Sequence, residues 1–193
     1  MIVLASASPR RQELLRNAHI PFSVQASNID ETPRAGESAQ DCAERLAREK
    51  AAAVARNHPG SFILAADTIV VVDGAMLGKP RDSLDAARML RMLAGRTHKV
   101  ITGVCVAGPI ATGKISVGSE TTSVTMCALT EEEVRFYSNC GEPMDKAGGY
   151  AIQGIASRWI ARIDGDYCNV MGLPVARAYK MLREMGAMGE VGM

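Results

Sequence analysis

Chemistry-bearing side chains gather first at Ser6-Ala7-Ser8-Pro9-Arg10-Arg11, directly after the apolar run Ile2-Val3-Leu4-Ala5. Hydroxyls, guanidinium forks and the N–H groups of a helix start converge there, a combination that suits a phosphate. A Ser N-cap with Pro at the first helical position and two solvated arginines explains the same residues without a ligand. The second point is Asp67, set in Leu64-Ala65-Ala66-Asp67-Thr68-Ile69-Val70-Val71. A buried, unpaired carboxylate is costly, so Asp67 needs a metal, a cationic partner or an opening to a cleft. Magnesium with a phosphate ligand would satisfy it, since that ion keeps waters and substrate oxygens beside a few protein carboxylates. An arginine in a core bridge, or a strand ending at the surface, would satisfy it without function.

Lys79 stands in a Gly-Lys-Pro turn, where proline stiffens the loop and directs the ammonium group; solvated surface is the plainer reading of a loop lysine. Gln153 lies beside Gly154 in the otherwise apolar Tyr150-Ala151-Ile152 stretch. Its amide offers an acceptor and paired donors, the equipment for reading the edge of a base.

These residues must be carried by the elements around them. Residues 2–5 form a strand, and a helix runs from Pro9 to about Asn17. Residues 22–26 alternate as a half-buried strand, and residues 38–57 form a long helix behind a Ser cap. Residues 62–72 read as a strand buried on both faces, and Asp73-Gly74 is a hairpin turn into a short strand at 76–77. A helix covers 83–93. Two long strands, 100–107 and 117–129, follow one another without a helix and so form an antiparallel pair. Thr130 and Glu133 make a capping box for a helix to about Asn139. A Gly-rich turn, a strand near 159–163 and a last helix at 174–185 complete the chain. Interleaved helices and strands with parallel and antiparallel signals give a three-layer α/β fold around a mixed β-sheet.

The bulk properties narrow the ligand. With 193 residues, 47% of them hydrophobic, and no linker-like stretch, the chain reads as one domain, 1–193. A formal net charge of +1 with mixed signs offers no basic stripe for a nucleic-acid polymer, so a small anion fits better. No stretch reads as a signal peptide, and none approaches the ~20 apolar residues of a membrane helix. A cytoplasmic protein with no membrane partner is expected. Five scattered cysteines, Cys42, Cys105, Cys127, Cys140 and Cys168, are expected to be reduced and mostly buried. With His19, His58 and His98 isolated, neither a zinc site nor a Cys-His nucleophile is expected.

In order and spacing, Ala5-Ser6-Ala7-Ser8-Pro9-Arg10-Arg11, Asp30-Glu31, Leu46-Ala47-Arg48-Glu49-Lys50-Ala51, Ala65-Ala66-Asp67-Thr68, Gly78-Lys79-Pro80, Asp145-Lys146-Ala147-Gly148-Gly149-Tyr150-Ala151-Ile152-Gln153-Gly154 and Asn169-Val170-Met171-Gly172-Leu173-Pro174 resemble the Maf nucleotide pyrophosphatases. No single block is very specific; the ordered set, spanning nearly the whole chain, is. The resemblance implies hydrolysis of nucleoside triphosphates to the monophosphate and pyrophosphate. It implies a divalent metal (Mg2+, Mn2+ or Co2+) and an elongated sheet with a nucleotide cleft, similar to inosine triphosphate pyrophosphatases. It also implies a homodimer. Arg10, Thr68 and Gln153 resemble the dTTP/UTP branch, whereas the 7-methyl-GTP branch has tryptophan at the position of Arg10. Asp166, Cys168 and Ala156 depart from that branch's usual residues and put fine loop geometry in doubt.

By the same resemblance Asp67 is the proton acceptor, and the metal sits near Asp67 with Glu31. Arg11, Lys50 and Lys79 grip the phosphates, Ser6 fills a remaining oxygen, and Gln153, Thr68 and Arg10 frame the base. Attack on the α-phosphorus of a triphosphate is limited by charge repulsion and positioning, so charge neutralisation plus one base is what such a site must supply. The apolar neighbours of Asp67 would desolvate it and make it a better base. Two other readings compete: a pyrophosphatase for a purine or modified-base triphosphate, and a nucleotide-sensing regulator of cell division.

Overall fold

We describe residues 1–188 of a computed structural model of the chain. Seven strands form a mixed sheet in the order β2-β1-β3-β5-β6-β7, with β4 paired to β3 off that path. The strands are β1 (Ile2–Leu4), β2 (Ser23–Val24), β3 (Phe62–Val72), β4 (Ala75–Leu77), β5 (Thr97–Ala107), β6 (Ile115–Met126) and β7 (Ile160–Asp164). β1 pairs in parallel with β2 and β3, whereas β3–β4 and β6–β7 are antiparallel. The helices are α1 (Pro9–Asn17), α2 (Ala39–Ala55), α3 (Ser83–Leu93), α4 (Glu131–Asn139), α5 (Tyr167–Met171) and α6 (Val175–Glu184).

The chain forms two compact units. The first comprises Met1–Asp67, Thr102–Glu120 and the described residues from Gly172 onward. In it Ala47, Ala51 and Val54 on the inner face of α2 pack with Val3, Ala5, Ile63, Ala65 and Cys105 of the strands. The small residues on both sides let helix and sheet approach closely. The second comprises Thr68–Ile101 and Thr121–Met171. Its core joins the apolar side of α3 (Leu90 and Leu93) to Val70 and Val72, Val124 and Met126, Tyr137 of α4 and Trp159. Tyr137 and Trp159 meet edge to face at 5.5 Å, a contact worth about 1 kcal/mol beyond the area it buries.

Local signals set most of the element ends. Ser8, Ser38, Asp82 and Thr130 each cap a helix through the side chain, and Thr130 with Glu133 closes the expected capping box. β2 is shorter than the 22–26 alternation implies, because its partner β1 ends at Leu4; a single further bond, Gln25 N–H to Leu4 O at 3.1 Å, continues the pairing. β6 stops at Met126, three residues before its expected end. α5 has too few residues to register as a period in the sequence; Asp166 Oδ1 starts it by accepting from the N–H groups of Cys168 (2.7 Å) and Asn169 (3.2 Å). Asp at this position does the capping work of a serine, so this departure from the branch pattern leaves the loop intact.

All five cysteines are free thiols, but the expectation that they are mostly buried fails. Cys42 and Cys105 are buried, Cys168 is half-buried, and Cys127 and Cys140 are exposed because they fall where β6 and α4 end. Burial raises the Cys42 thiol to about 11 and that of Cys105 to about 12, which makes both inert.

Candidate active site

In the first unit the turn after β1 leads directly into α1. Ser8 caps the helix and Pro9 occupies its first position, as the ligand-free reading requires. The pair of arginines is not solvated, however: Arg10 is half-buried and Arg11 is buried. Arg11 Nε donates to the carbonyl oxygen of Gly172 at 2.7 Å and Nη1 donates to Ser6 Oγ at 3.2 Å. Burial lowers the pKa of the guanidinium, with the charge of Asp67 opposing it; from so high a starting value it stays protonated. Ser6, itself buried, also accepts the N–H of Ser8 at 3.2 Å. An oxygen accepting two such bonds still has its own proton to give.

Asp67 lies in β3 at 7% exposure. Its hydrogen-bonded cationic partner is Lys50 of α2, and the buried Arg11 also feels its charge. Lys50 Nζ lies 2.6 Å from Asp67 Oδ1 and 2.6 Å from Glu31 Oε1. Lys50 is at 6% exposure, whereas the Glu31 side chain is 42% exposed. Four of the expected residues of this unit, Arg11, Lys50, Asp67 and Glu31, thus carry two positive and two negative charges. The balance explains how three of them tolerate burial.

The remaining expected residues belong to the second unit. Thr68 is half-buried and follows Asp67 in β3, so its side chain projects from the opposite face of that strand. Lys79 is exposed, in the loop after β4. That loop is anchored where Gly148 N–H donates to Gly78 O at 3.0 Å. Gly148 has φ +71°, and a Cβ there would lie 2.8 Å from a Val70 methyl, so both backbone and space demand glycine. Gln153 is exposed, at the third position of a turn closed by Gly154 N–H to Ala151 O at 3.1 Å.

Three contributors escaped the sequence reading. The Gly172 carbonyl fixes Arg11 from 161 residues away, with only its place in the Asn169–Pro174 block as a signal. Tyr137 and Glu142 hold the Gln153 turn, and nothing in their spacing marks them. Among the described residues no group of three or more His, Cys, Asp or Glu side chains is placed to hold a metal. No described helix is long and apolar enough to cross a membrane.

Fold and site together define an α/β protein with a largely buried, charge-balanced cluster in its first unit. The family described as Maf-like protein matches residues 1–185, and the chain belongs to it. The chain is 53% identical over 187 residues to a dTTP/UTP pyrophosphatase of Koribacter versatilis, covering 97% of this chain and 95% of that one. It is 50% identical over 186 residues to a dTTP/UTP pyrophosphatase of Myxococcus xanthus, covering 96% and 93%. Among solved structures, the Ham1 protein of Staphylococcus aureus superposes with a TM-score of 0.53 at 14% identity, covering 96% of this chain and 97% of that one. A HAM1 protein from Coxiella burnetii gives 0.53 at 18%, covering 97% and 98%. Those two likenesses bear out the fold expected from the resemblance.

Proposed function

We propose that this chain is a nucleoside triphosphate pyrophosphatase that hydrolyses dTTP and UTP in preference to other triphosphates, releasing the monophosphate and pyrophosphate. The observation that carries the reading is the Lys50–Asp67 pair beside Arg11, in a chain half identical over nearly its full length to proteins named for that activity. A protein that only sensed nucleotide would need the cations and not the buried carboxylate.

In this reading Arg11, held by Gly172 O and Ser6 Oγ, supplies positive charge to the phosphate oxygens, and Ser6 donates its own proton to one of them. The first turn of α1 contains no acidic residue, so its N–H dipoles add to that attraction. Lys79 supplies a further positive charge. Asp67 takes the proton of the water that attacks the α-phosphorus. Lys50 holds the carboxylate oxygen of Asp67 in a single place, which fixes where that proton goes. The amide of Gln153 pairs with the O4 and N3–H edge of thymine or uracil; Arg10 and Thr68 are the other two residues assigned to base choice.

A divalent cation, Mg2+, Mn2+ or Co2+, belongs to the same proposal. Glu31 and Asp67 supply hard carboxylate oxygens, the donor type such an ion takes, and both bond the ammonium of Lys50 here. Those two residues would hold the ion with water and phosphate oxygens, and it would neutralise charge on the departing pyrophosphate. The five free thiols, two of them exposed, suit a reducing compartment and hence a cytoplasmic location. The test is release of pyrophosphate from a panel of dTTP, UTP, CTP, GTP and modified triphosphates with each metal in turn. Preference for dTTP and UTP supports the reading; preference for a purine, or tight binding without turnover, overturns it.

A further inference from the structure

The turn that carries Gln153 is pinned at both ends to one pair of side chains. At its first residue, Ala151 N–H donates to the Tyr137 hydroxyl at 3.0 Å. Just beyond its last residue, Ile155 N–H donates to Glu142 Oε2 at 3.1 Å. The two anchors are themselves joined, Tyr137 O–H donating to Glu142 Oε1 at 2.7 Å. The hydroxyl and the carboxylate therefore close a loop of hydrogen bonds around residues 151–155. Tyr137 is fully buried, and Glu142 is held from its other side because Lys146 Nζ donates to its backbone carbonyl at 2.6 Å. Gly154 shows how tightly the carboxylate is seated: a Cβ there would lie 2.4 Å from Glu142 Oε2. Gly154 has an ordinary negative φ, so what a side chain there would meet is the Glu142 carboxylate, which would have to move aside. The Gln153 amide, exposed between these anchors, has no fixing contact of its own among the described residues.

We propose that Tyr137 and Glu142 are positioning residues for base selection, which set the place of the Gln153 amide by clamping the turn beneath it. The inference rests on the proposed reading of Gln153 as the residue that meets the pyrimidine edge. The amide meets O4 and N3–H of thymine or uracil together only when it reaches the base edge in register, so base preference needs the amide held in one place. A backbone clamp supplies that place by fixing the Cα and Cβ from which the side chain starts. Neither residue touches substrate in this arrangement.

Three substitutions release the clamp from different sides. Tyr137→Phe removes the hydroxyl and leaves the Ala151 N–H without its acceptor. Glu142→Gln keeps the shape and replaces one acceptor with a donor. Gly154→Ala dislodges the carboxylate while leaving both anchors chemically intact. Each is compared with wild type and with Gln153→Ala by kcat/KM on dTTP, UTP and CTP, with thermal unfolding as a check that the variant is folded. The expected result is a fall in the dTTP-to-CTP ratio of about tenfold in each folded clamp variant, in keeping with one misplaced polar contact. Adding Tyr137→Phe or Glu142→Gln to Gln153→Ala should then lower the ratio no further, since both changes act through one amide. Equal losses on all substrates, with the ratio kept, would mean that the clamp only supports the fold, and would overturn the inference while leaving the role of Gln153 intact. If Gln153→Ala itself leaves the ratio unchanged, the reading of Gln153 fails and the inference falls with it.

Discussion

Lys50 Nζ sits 2.6 Å from Asp67 Oδ1, with both side chains almost completely withdrawn from water. The pair joins a helix to a strand within the first unit, and it makes an ionised carboxylate tolerable in the middle of β3. Removing either partner therefore has different consequences. Asp67→Asn keeps the shape, and Lys50 retains Glu31 as a counter-ion. It should fold normally and lose turnover by about a hundredfold or more, the usual effect of deleting a general base. Lys50→Met leaves Asp67 buried without its cation and should destabilise by about 3–5 kcal/mol. The double variant Lys50→Met/Asp67→Asn should recover most of that loss. Denaturant unfolding of the three proteins with steady-state kinetics checks both parts; full stability in Lys50→Met would remove the pair from the argument.

Arg11→Ala and Lys79→Ala should weaken the handling of every triphosphate alike, because contacts to phosphate carry no information about the base. The quantity to follow is the ratio of dTTP to CTP turnover, which should stay constant while both rates fall. Lys79→Arg should restore function only in part, since a planar fork does not replace a point charge. A changed ratio would assign these residues to the base.

Gln153→Ala should lower kcat/KM for dTTP and UTP by an amount equivalent to about 1–3 kcal/mol, the cost of leaving a polar edge unpaired. CTP and GTP should lose much less, so selectivity flattens. Kinetics on the four nucleotides decides it: equal losses on all would leave Gln153 with a merely structural part in its turn.

His98 predicts an acid-side loss of stability. It is 1% exposed, its Nε2 lies 2.7 Å from the Tyr150 hydroxyl, and its Nδ1 has no hydrogen-bond partner among the described residues. Burial lowers its pKa from 6.5 to about 4. Above pH 6.5 the ring is neutral in both folded and unfolded chains. As the pH falls the unfolded chain takes up the proton first, so stability is lost progressively between about pH 6.5 and about pH 4, by about 3 kcal/mol in all. Denaturant unfolding across that range, set against His98→Gln, should show the variant losing correspondingly less; parallel curves would contradict the assignment.

Much of this was legible in the residues alone, for reasons of short range. Helix caps at Ser8, Ser38 and Thr130 act within three residues, and the apolar run of β3 declares a buried strand wherever it is placed. Asp67 stood out because a carboxylate in such a run contradicts its surroundings, and Arg11 because it followed a capped, proline-led turn. Their partners lay out of reach of any local pattern. Lys50 is seventeen residues from Asp67, and Gly172 is 161 residues from Arg11; neither a lysine in an amphipathic helix nor a glycine carbonyl signals what it will meet. The sequence of itself determined which residue types could do phosphate chemistry and which elements would carry them, since propensity, capping and periodicity act along the chain. Only the tertiary structure decided that Asp67 would be neutralised by a lysine, that Arg11 would be locked by a distant carbonyl, and that Tyr137 and Glu142 would close around the Gln153 turn. Charge pairing and hydrogen bonding between segments depend on distances in space, and those exist only once the chain has folded.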